Sequence, residues 1–190
     1  MRHQIRNELT SIQPFDEIEQ AQIADVCTWI DSGAELCRLE KPATPNKHLV
    51  SYFVVVDGEH VLLVDHKNAQ LWLPTGGHVE PGEHPRQTVA REAAEELGLD
   101  TGFPACGPLF LTTAVTVGLT AGHTDVSLWY VIQGNRSAPI KFDVNEFHSA
   151  RWFHFSEVPL GRSDPHMGRF LRKLALTSRR TATSSVELQA

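Results

Sequence analysis

The sequence has few cysteines, no long apolar run and no excess of positive charge, and each absence excludes a class of protein. Its cysteines, Cys27, Cys37 and Cys106, are odd in number and form no Cys-x-x-Cys pair, so they indicate neither a disulfide framework nor a zinc site. No apolar run approaches the length of a membrane span, and the first residues lack the apolar core of a signal peptide. The sequence therefore predicts a cytoplasmic protein that does not enter a membrane.

Charge and composition also limit the partners. The formal net charge of -6 provides no positive surface for long nucleic acid, which requires many phosphate contacts. The 190 residues are 41% hydrophobic and 21% charged, which fits one globular domain with room for an added segment. We therefore expect a small-molecule partner rather than long nucleic acid.

The chain is organised around residues 71–99, LWLPTGGHVEPGEHPRQTVAREAAEELGL. A strand-like apolar segment comes first, and the glycines and prolines that follow predict turns. A helix is then predicted to Leu97, with Pro85 in its first turn and Gly98 at its end. Its apolar stripe consists of Val89, Ala93 and Leu97.

Three carboxylates beside this stripe are the unusual feature. Glu92, Glu95 and Glu96 stand at i, i+3 and i+4, so they share one face of one helical turn. Like charges at this spacing repel by roughly 0.2–0.5 kcal/mol per pair. A hard divalent cation such as Mg²⁺ would reverse the sign of the interaction, because it prefers oxygen ligands. A solvated acidic helix face is the alternative.

The stretch resembles the Nudix box, G-x5-E-x7-R-E-U-x-E-E-x-G-U. The matching positions are Gly77, Glu83, Arg91, Glu92, Ala93, Glu95, Glu96, Gly98 and Leu99. Ala93 stands where a larger aliphatic residue is common, a departure that affects packing rather than chemistry. The box covers a small part of the chain, so it bears on the type of reaction and not on the substrate.

Helical and strand patterns surround the box. Residues 1–12 have helical spacing, and a second helix is predicted from Asp16 as N-cap, with Glu19 as its capping-box partner, to about Gly33. This extension is expected to pack on the sheet, to cover the substrate pocket or to form a homodimer contact. Two buried strands joined at Asp57-Gly58 follow.

Three further strands are predicted after the box, in residues 108–118, 125–134 and 150–155, followed by a closing helix from Asp164 to Leu176. This order describes an α+β sandwich around a mixed sheet. The resemblance implies the same architecture, a Nudix-type α/β/α sandwich, here with an N-terminal helical extension. The expected organisation is residues 1–40 as that extension, 45–175 as the Nudix hydrolase domain, and 177–190 as a disordered tail.

The resemblance also implies a chemistry. Nudix proteins hydrolyse a nucleoside diphosphate linked to another group, X, with Mg²⁺ or Mn²⁺. By position, Glu92 and Glu96 are expected to bind the metal, with Glu95 as a third ligand or as the catalytic base, and the Gly76 carbonyl is expected to complete the site. Gly77, Glu83, Arg91 and Gly98 are then structural positions of the box, with Glu83 and Arg91 pairing to hold its loop against the helix.

The base and the substrate are less defined. A carboxylate of a later loop is an alternative base, with Glu146 as the best-placed candidate and Asp143 as a weaker one. Zinc binding by His78 and His84 is not favoured, because their spacing is not a known tetrahedral pattern. Candidates for a wall of the nucleoside pocket are His123, Thr124 and Asp125, and candidates for stacking on a base, or for ordinary core positions, are Tyr52, Phe53, Trp72 and Trp129.

The expected function is hydrolysis of the diphosphate linkage of a nucleoside triphosphate or a nucleotide sugar. The alternative is a Nudix-fold module that binds a nucleotide and regulates without turnover. A third possibility, the isomerase branch of the fold, requires a catalytic cysteine, for which Cys106 is the only candidate after the box.

Overall fold

The computed structural model describes residues 1–41, 43–116 and 122–187 of the chain. The elements in these ranges are α1 Arg2–Ser11, α2 Glu17–Asp31, β1 Lys47–Asp57, β2 His60–His66, β3 Leu71–Leu73, β4 Thr75–His78, α3 Pro85–Leu97, β5 Phe110–Val115, β6 Thr124–Gln133, β7 Phe147–His154 and α4 Met167–Glu187. Two short 3-10 turns, Phe155–Glu157 and Leu160–Arg162, lie between β7 and α4.

The strands form one mixed sheet with β1 at its centre. The strand order is β3-β2-β1-β6-β5, with β7 on β2 and β4 on β1. β1 runs parallel to β6 along most of its length and antiparallel to β2 and β4. β4 pairs with Val50 to Phe53, whereas β2 pairs with Val55 to Asp57, so two strands share one edge of β1 and diverge from each other.

Helices cover both faces of the sheet. One apolar cluster joins α1, α2 and α3 to one face through residues such as Leu9, Val26 and Val89. The other joins α4 to the opposite face through Phe170 and Leu174. Residues 53–56 and 61–64 are buried throughout, as their continuous apolar runs predict, because both faces of these strands are covered. The α/β/α sandwich with a mixed sheet is thus confirmed.

The N-terminal extension packs into this same core. Asp16 caps α2 by accepting a hydrogen bond from the Glu19 amide at 2.9 Å, as predicted. The capping-box role predicted for the Glu19 side chain is wrong. This fully buried carboxylate accepts from the Phe15 amide at 2.6 Å and pairs with Lys173 of α4 at 2.7 Å. It therefore fastens α2 to α4 across the edge of the sheet.

Two further boundaries differ from the sequence prediction. Gly76 and Gly77, predicted as a turn, lie in β4, because pairing with β1 holds them extended. Helix α4 continues to Glu187, where a disordered tail is predicted from Thr177. The hydroxyls of Thr177 and Ser178 donate to carbonyls four residues earlier, and residues 188–190 of the predicted tail lie outside the described residues.

The hairpin at Asp57-Gly58 and the end of α3 at Gly98 are confirmed, and both glycines have positive φ. The predicted turn at residues 120–124 and the end of the strand predicted to residue 118 fall partly outside the described residues. Among the described helices, none combines the length and the apolar character needed to cross a membrane.

Candidate active site

The two glycines of β4 allow α3 to lie directly against this strand. A Cβ on Gly77 would lie 1.8 Å from Oε1 of Glu92, so any larger residue would push the carboxylate away. Gly76 has φ of +153°, and its amide donates to Oε2 of Glu96 at 3.0 Å instead of pairing with β1. This hydrogen bond ties β4 to α3.

Glu92 and Glu96 are the buried carboxylates of the helix. Glu96 is only 7% exposed, and burial together with the neighbouring Glu92 raises its pKa to about 9. Burial also raises the pKa of Glu92, against the opposing effect of Arg91. The cleft therefore has too little positive charge to keep both groups ionised at neutral pH.

A clamp formed by Glu83 and Arg91 holds the loop before α3. The Arg91 guanidinium donates to both carboxylate oxygens of Glu83, at 3.0 and 3.1 Å. Glu83 also accepts from the Thr88 hydroxyl at 2.8 Å and from the Glu80 amide at 3.2 Å. Burial opposes ionisation of Glu83, but the hydrogen bonds from Arg91 and Thr88 outweigh it and lower its pKa.

Arg91 extends this clamp toward the other carboxylates of the helix. Its Nη1 donates to Glu92 at 2.7 Å, and its Nη2 donates to the His78 carbonyl at 3.3 Å. Glu95 is placed differently from the other two, since its side chain is 62% exposed and meets Arg91 at 3.4 Å. The helix thus turns Glu92 and Glu96 inward and leaves Glu95 toward solvent, although the sequence predicts one shared acidic face.

Glu146 reaches the same cleft from the loop before β7. Its carbonyl accepts from the Lys67 amide at 3.0 Å, and its amide donates to the Asp143 carbonyl at 3.3 Å. The Asp143 amide in turn donates to the Glu96 carbonyl at 2.8 Å, which joins this loop to the end of α3. The negative charge of Glu146 contributes to the raised pKa of both Glu92 and Glu96.

Two adjoining cavities meet at β4. A polar cleft of about 490 Å³ is lined by Arg38, Gly76, Glu80, Glu92, Glu96 and Glu146, among others. A cavity of about 260 Å³ lies beside it and includes Tyr52, Leu73, Asp125, Phe147 and Asp164 in its wall. Glu96, Gly76 and His78 line both, so one continuous site has an acidic half and a more apolar half.

The remaining candidates are distributed between the site and the core. Tyr52 lines the smaller cavity and packs edge-on against Trp129, with ring centroids 5.0 Å apart. Phe53 and Trp129 are fully buried core residues, and Trp72 packs on Phe153. His84 caps α3 by accepting from the Arg86 amide at 3.2 Å.

Comparison with known proteins identifies the family. The family model described as the NUDIX domain matches residues 47–174, about two thirds of the chain. The chain belongs to the Nudix family. This result agrees with the box and with the way β4 and α3 meet around Glu92 and Glu96.

Nudix relatives share parts of the sequence and the fold. The pig bis(5'-nucleosyl)-tetraphosphatase [asymmetrical] is 48% identical over 44 residues, 23% of this chain and 30% of that protein. The NAD-capped RNA hydrolase NudC of Stutzerimonas stutzeri (strain A1501) is 31% identical over 106 residues, 54% of this chain and 34% of that protein. The chain thus spans about a third of the length of these curated relatives.

A solved structure supports the fold alone. The MutT protein from Methanosarcina mazei Go1 has a TM-score of 0.54 and 20% identity, covering 70% of this chain and 95% of that one. At this level of identity, the similarity supports the architecture of the chain and says nothing about its substrate.

The donor set of the cleft fits the divalent cation expected of a Nudix protein. Glu92 and Glu96 are largely removed from solvent and have raised pKa values, and a bound divalent cation would favour their ionised forms. Gly76 is tied to the same helix through its amide. Glu146 lines the cleft, whereas the Glu95 side chain is largely exposed to solvent.

One group of polar side chains near this site was missed by the sequence analysis. His48, His78, His123 and Asp125 each bring one ligand atom within 4.8 Å of the others. Only the His-x-Asp pair at 123 and 125 is local in sequence, and the other two members come from different strands. Their proximity depends on sheet register, which the sequence pattern does not specify.

Proposed function

We propose that the chain is a hydrolase that cleaves the diphosphate linkage of a nucleoside diphosphate-X compound with Mg²⁺ or Mn²⁺. The observation that carries this proposal is the pair of inward-facing carboxylates, Glu92 and Glu96, held against the backbone of Gly76 in an open cleft. A solvated acidic helix face would leave both carboxylates in water, with ordinary pKa values.

Each residue then has a distinct task. Glu92, Glu96 and the Gly76 carbonyl hold the cation, which when bound neutralises the diphosphate and lowers the pKa of a water. Arg91 orients Glu92 through the 2.7 Å hydrogen bond and ties the preceding loop to α3 through Glu83. Glu95 is placed to influence the site through Arg91 rather than by direct contact.

Glu146 is our candidate for the base that takes the proton of the attacking water. It lines the cleft without being part of the box helix, and its backbone is anchored by Lys67 and Asp143. A carboxylate that binds a cation is a weak base, since the cation lowers its pKa. Glu95, the alternative base, is largely exposed and paired with Arg91.

The two halves of the site support a proposal for the substrate class. The acidic half would receive the phosphates together with the cation, and the smaller cavity beside Tyr52 would receive the nucleoside or the group X. One of the two relatives is a bis(5'-nucleosyl)-tetraphosphatase and the other is an NAD-capped RNA hydrolase. A nucleoside triphosphate or a nucleotide sugar is therefore the substrate we propose, with homodimer formation and a cytoplasmic location remaining predictions.

A substrate screen tests this proposal. Nucleoside triphosphates, dinucleoside polyphosphates and nucleotide sugars would be incubated with the protein and Mg²⁺ or Mn²⁺, and released phosphate or pyrophosphate measured. Turnover that disappears in Glu96→Gln and in excess chelator is the expected result. Nucleotide binding without turnover under every metal condition would instead indicate the regulatory module. The isomerase possibility has no support in geometry, because Cys106 is exposed and is not among the residues that line either cavity.

A further inference from the structure

The group of His48, His78, His123 and Asp125 lies at one end of the central strands. His48 of β1 stands directly opposite Asp125 of β6. His78 ends β4 opposite Val50, two residues along β1 from His48, and His123 immediately precedes β6. Residues two apart on a strand share a face, so the sheet itself brings these four side chains together.

Two distances within the group match those of a tetrahedral metal site. Asp125 Oδ1 lies 3.3 Å from His48 Nε2 and 3.2 Å from His123 Nε2. Zinc bonds of about 2.0–2.1 Å place neighbouring ligand atoms roughly 3.4 Å apart. All four ligand atoms lie within 4.8 Å of one another, so the set is close to the spacing that one ion requires.

A hydrogen bond to one ring nitrogen of His48 directs the lone pair of the other nitrogen toward the centre of the group. His48 is fully buried, and its Nδ1 lies 2.9 Å from the Pro45 carbonyl, which can only accept. The proton of a neutral His48 is therefore on Nδ1, and its Nε2 lone pair faces the carboxylate. The Nδ1 of His123 lies 3.1 Å from the Thr116 hydroxyl, which can donate or accept, so this contact orients the ring without assigning its proton. Fixing the far nitrogen by a hydrogen bond is the usual arrangement of metal-binding histidines.

Two atoms at the centre of the group have no hydrogen bond. His48 Nε2 and Asp125 Oδ1 are both buried and make no hydrogen bond, although Oδ1 lies 3.3 Å from His48 Nε2 and 3.2 Å from His123 Nε2. A lone pair facing a carboxylate oxygen in a buried site is unfavourable unless a cation or a proton lies between them. We propose that His48, His78, His123 and Asp125 form a Zn²⁺ site that is separate from the carboxylate site of the Nudix box.

The donor set selects a transition metal over Mg²⁺. Imidazole nitrogens suit Zn²⁺, whereas Mg²⁺ requires oxygen ligands and retains several waters. Four protein ligands complete a tetrahedral shell and leave no open position, so this zinc would be structural rather than catalytic. Asp125 and His78 line the smaller cavity, which provides a path for the ion to enter.

Arg38 competes with metal for His78. Its Nη1 lies 3.3 Å from His78 Nε2, and a guanidinium can only donate. Metal bound through Nε2 uses the lone pair that accepts this hydrogen bond. If the metal binds Nδ1 instead, the ring proton is on Nε2, where it faces the N–H groups of Arg38. Arg38 must therefore leave this contact when the ion binds, and it already lines the open acidic cleft.

Cobalt provides a direct probe of the site. The full chain would be stripped with chelator and titrated with Co²⁺ in excess Mg²⁺, which occupies the carboxylate site. We expect the visible absorption bands of tetrahedral Co²⁺ to saturate at one equivalent and to disappear on addition of one equivalent of Zn²⁺. His123→Gln and Asp125→Asn should each weaken binding at least about tenfold, while the exposed histidine variant His148→Gln should not.

Two further variants separate this site from the Nudix carboxylates. The double variant Glu92→Gln/Glu96→Gln should bind Co²⁺ with wild-type affinity, and Arg38→Gln should bind it about tenfold more tightly because the competing charge-assisted hydrogen bond is lost. Absence of tetrahedral bands in the folded protein, or their loss in the double variant alone, would overturn the proposal. An unchanged affinity in Arg38→Gln would remove His78 from the ligand set and with it the four-ligand site.

Discussion

At the scale of single residues, the box helix separates three neighbouring glutamates into two kinds. The sequence is sufficient to single out these three glutamates by their spacing, because the box is a contiguous pattern. It does not predict that Glu95 is exposed, since that depends on how far α3 is rotated about its axis when it packs on β1 and β4. The difference between 7% exposure for Glu96 and 62% for the Glu95 side chain separates their roles in substitutions.

Glu96→Gln should lower kcat by roughly 100-fold or more, the scale expected when a metal ligand is lost. Gln retains an acceptor for the Gly76 amide, so the fold should survive. Steady-state kinetics in saturating Mg²⁺, with a thermal melt of the same sample, provide the measurement. Glu95→Gln is the matched control on the same helical turn and should lower kcat much less. Equal losses in the two variants would contradict the assignment.

Glu146→Gln should lower kcat at least about tenfold, the low end of what a lost acid–base group costs. The acid limb of the pH–rate profile should shift or disappear, because the group that must be deprotonated is gone. Metal affinity, measured from the Mg²⁺ dependence of the rate, should change less than in Glu96→Gln. A variant with wild-type kcat and an unaltered profile would return the role of base to Glu95.

At the scale of elements, the contact between β4 and α3 is the feature that the sequence pattern describes least well. Two adjacent glycines after Pro74 have the composition of a turn, and the local sequence favours that interpretation. Pairing with β1 is a long-range interaction that holds the same residues extended. The helix itself, its Gly98 end and its apolar stripe are predicted because their signals are local.

Gly77→Ala should disturb this contact. Its Cβ would lie 1.8 Å from Glu92 Oε1, so the carboxylate must move out of position. We expect kcat to fall at least about tenfold, since the displaced Glu92 is one of the proposed metal ligands. Gly161→Ala is the control, because a Cβ there meets nothing within 4 Å and its φ is not positive. Kinetics and melting curves of the two variants, measured side by side, would test this prediction. Unaffected kinetics in Gly77→Ala would show that Glu92 can shift without loss of activity.

At the scale of the whole molecule, the sandwich class is predicted, because the apolar runs, the helical patterns and the box together indicate it, whereas the order of the strands within the sheet is not. The extension is predicted as helices, and packing on the sheet, one of the three roles expected for it, is the one that the structure shows. The ion pair between Glu19 and Lys173 joins residues 154 positions apart, and no local signal announces it. The histidine group was missed for the same reason.

The overall stability of the metal-free protein should fall as pH rises. The pKa of Glu96 is raised from 4.5 to about 9 in the folded state, so between these values the folded chain binds a proton that the unfolded chain releases. Stability is then present below the unfolded pKa and is lost through this window. Melting temperatures in chelator between pH 5.5 and 8.5 should decline more steeply for wild type than for Glu96→Gln. Mg²⁺ should restore stability at the upper end by mass action, and identical slopes in the two proteins would rule out Glu96 as the cause.

The short strand β4 has one more consequence. Its Gly76 amide meets Glu96, and two residues later His78 stands beside His48. Inserting or deleting one residue between Gly76 and His78 would move one of these two residues to the opposite face of the strand. A change in the length of this segment would therefore disrupt either its contact with α3 or the histidine group, even where a change in its composition would not.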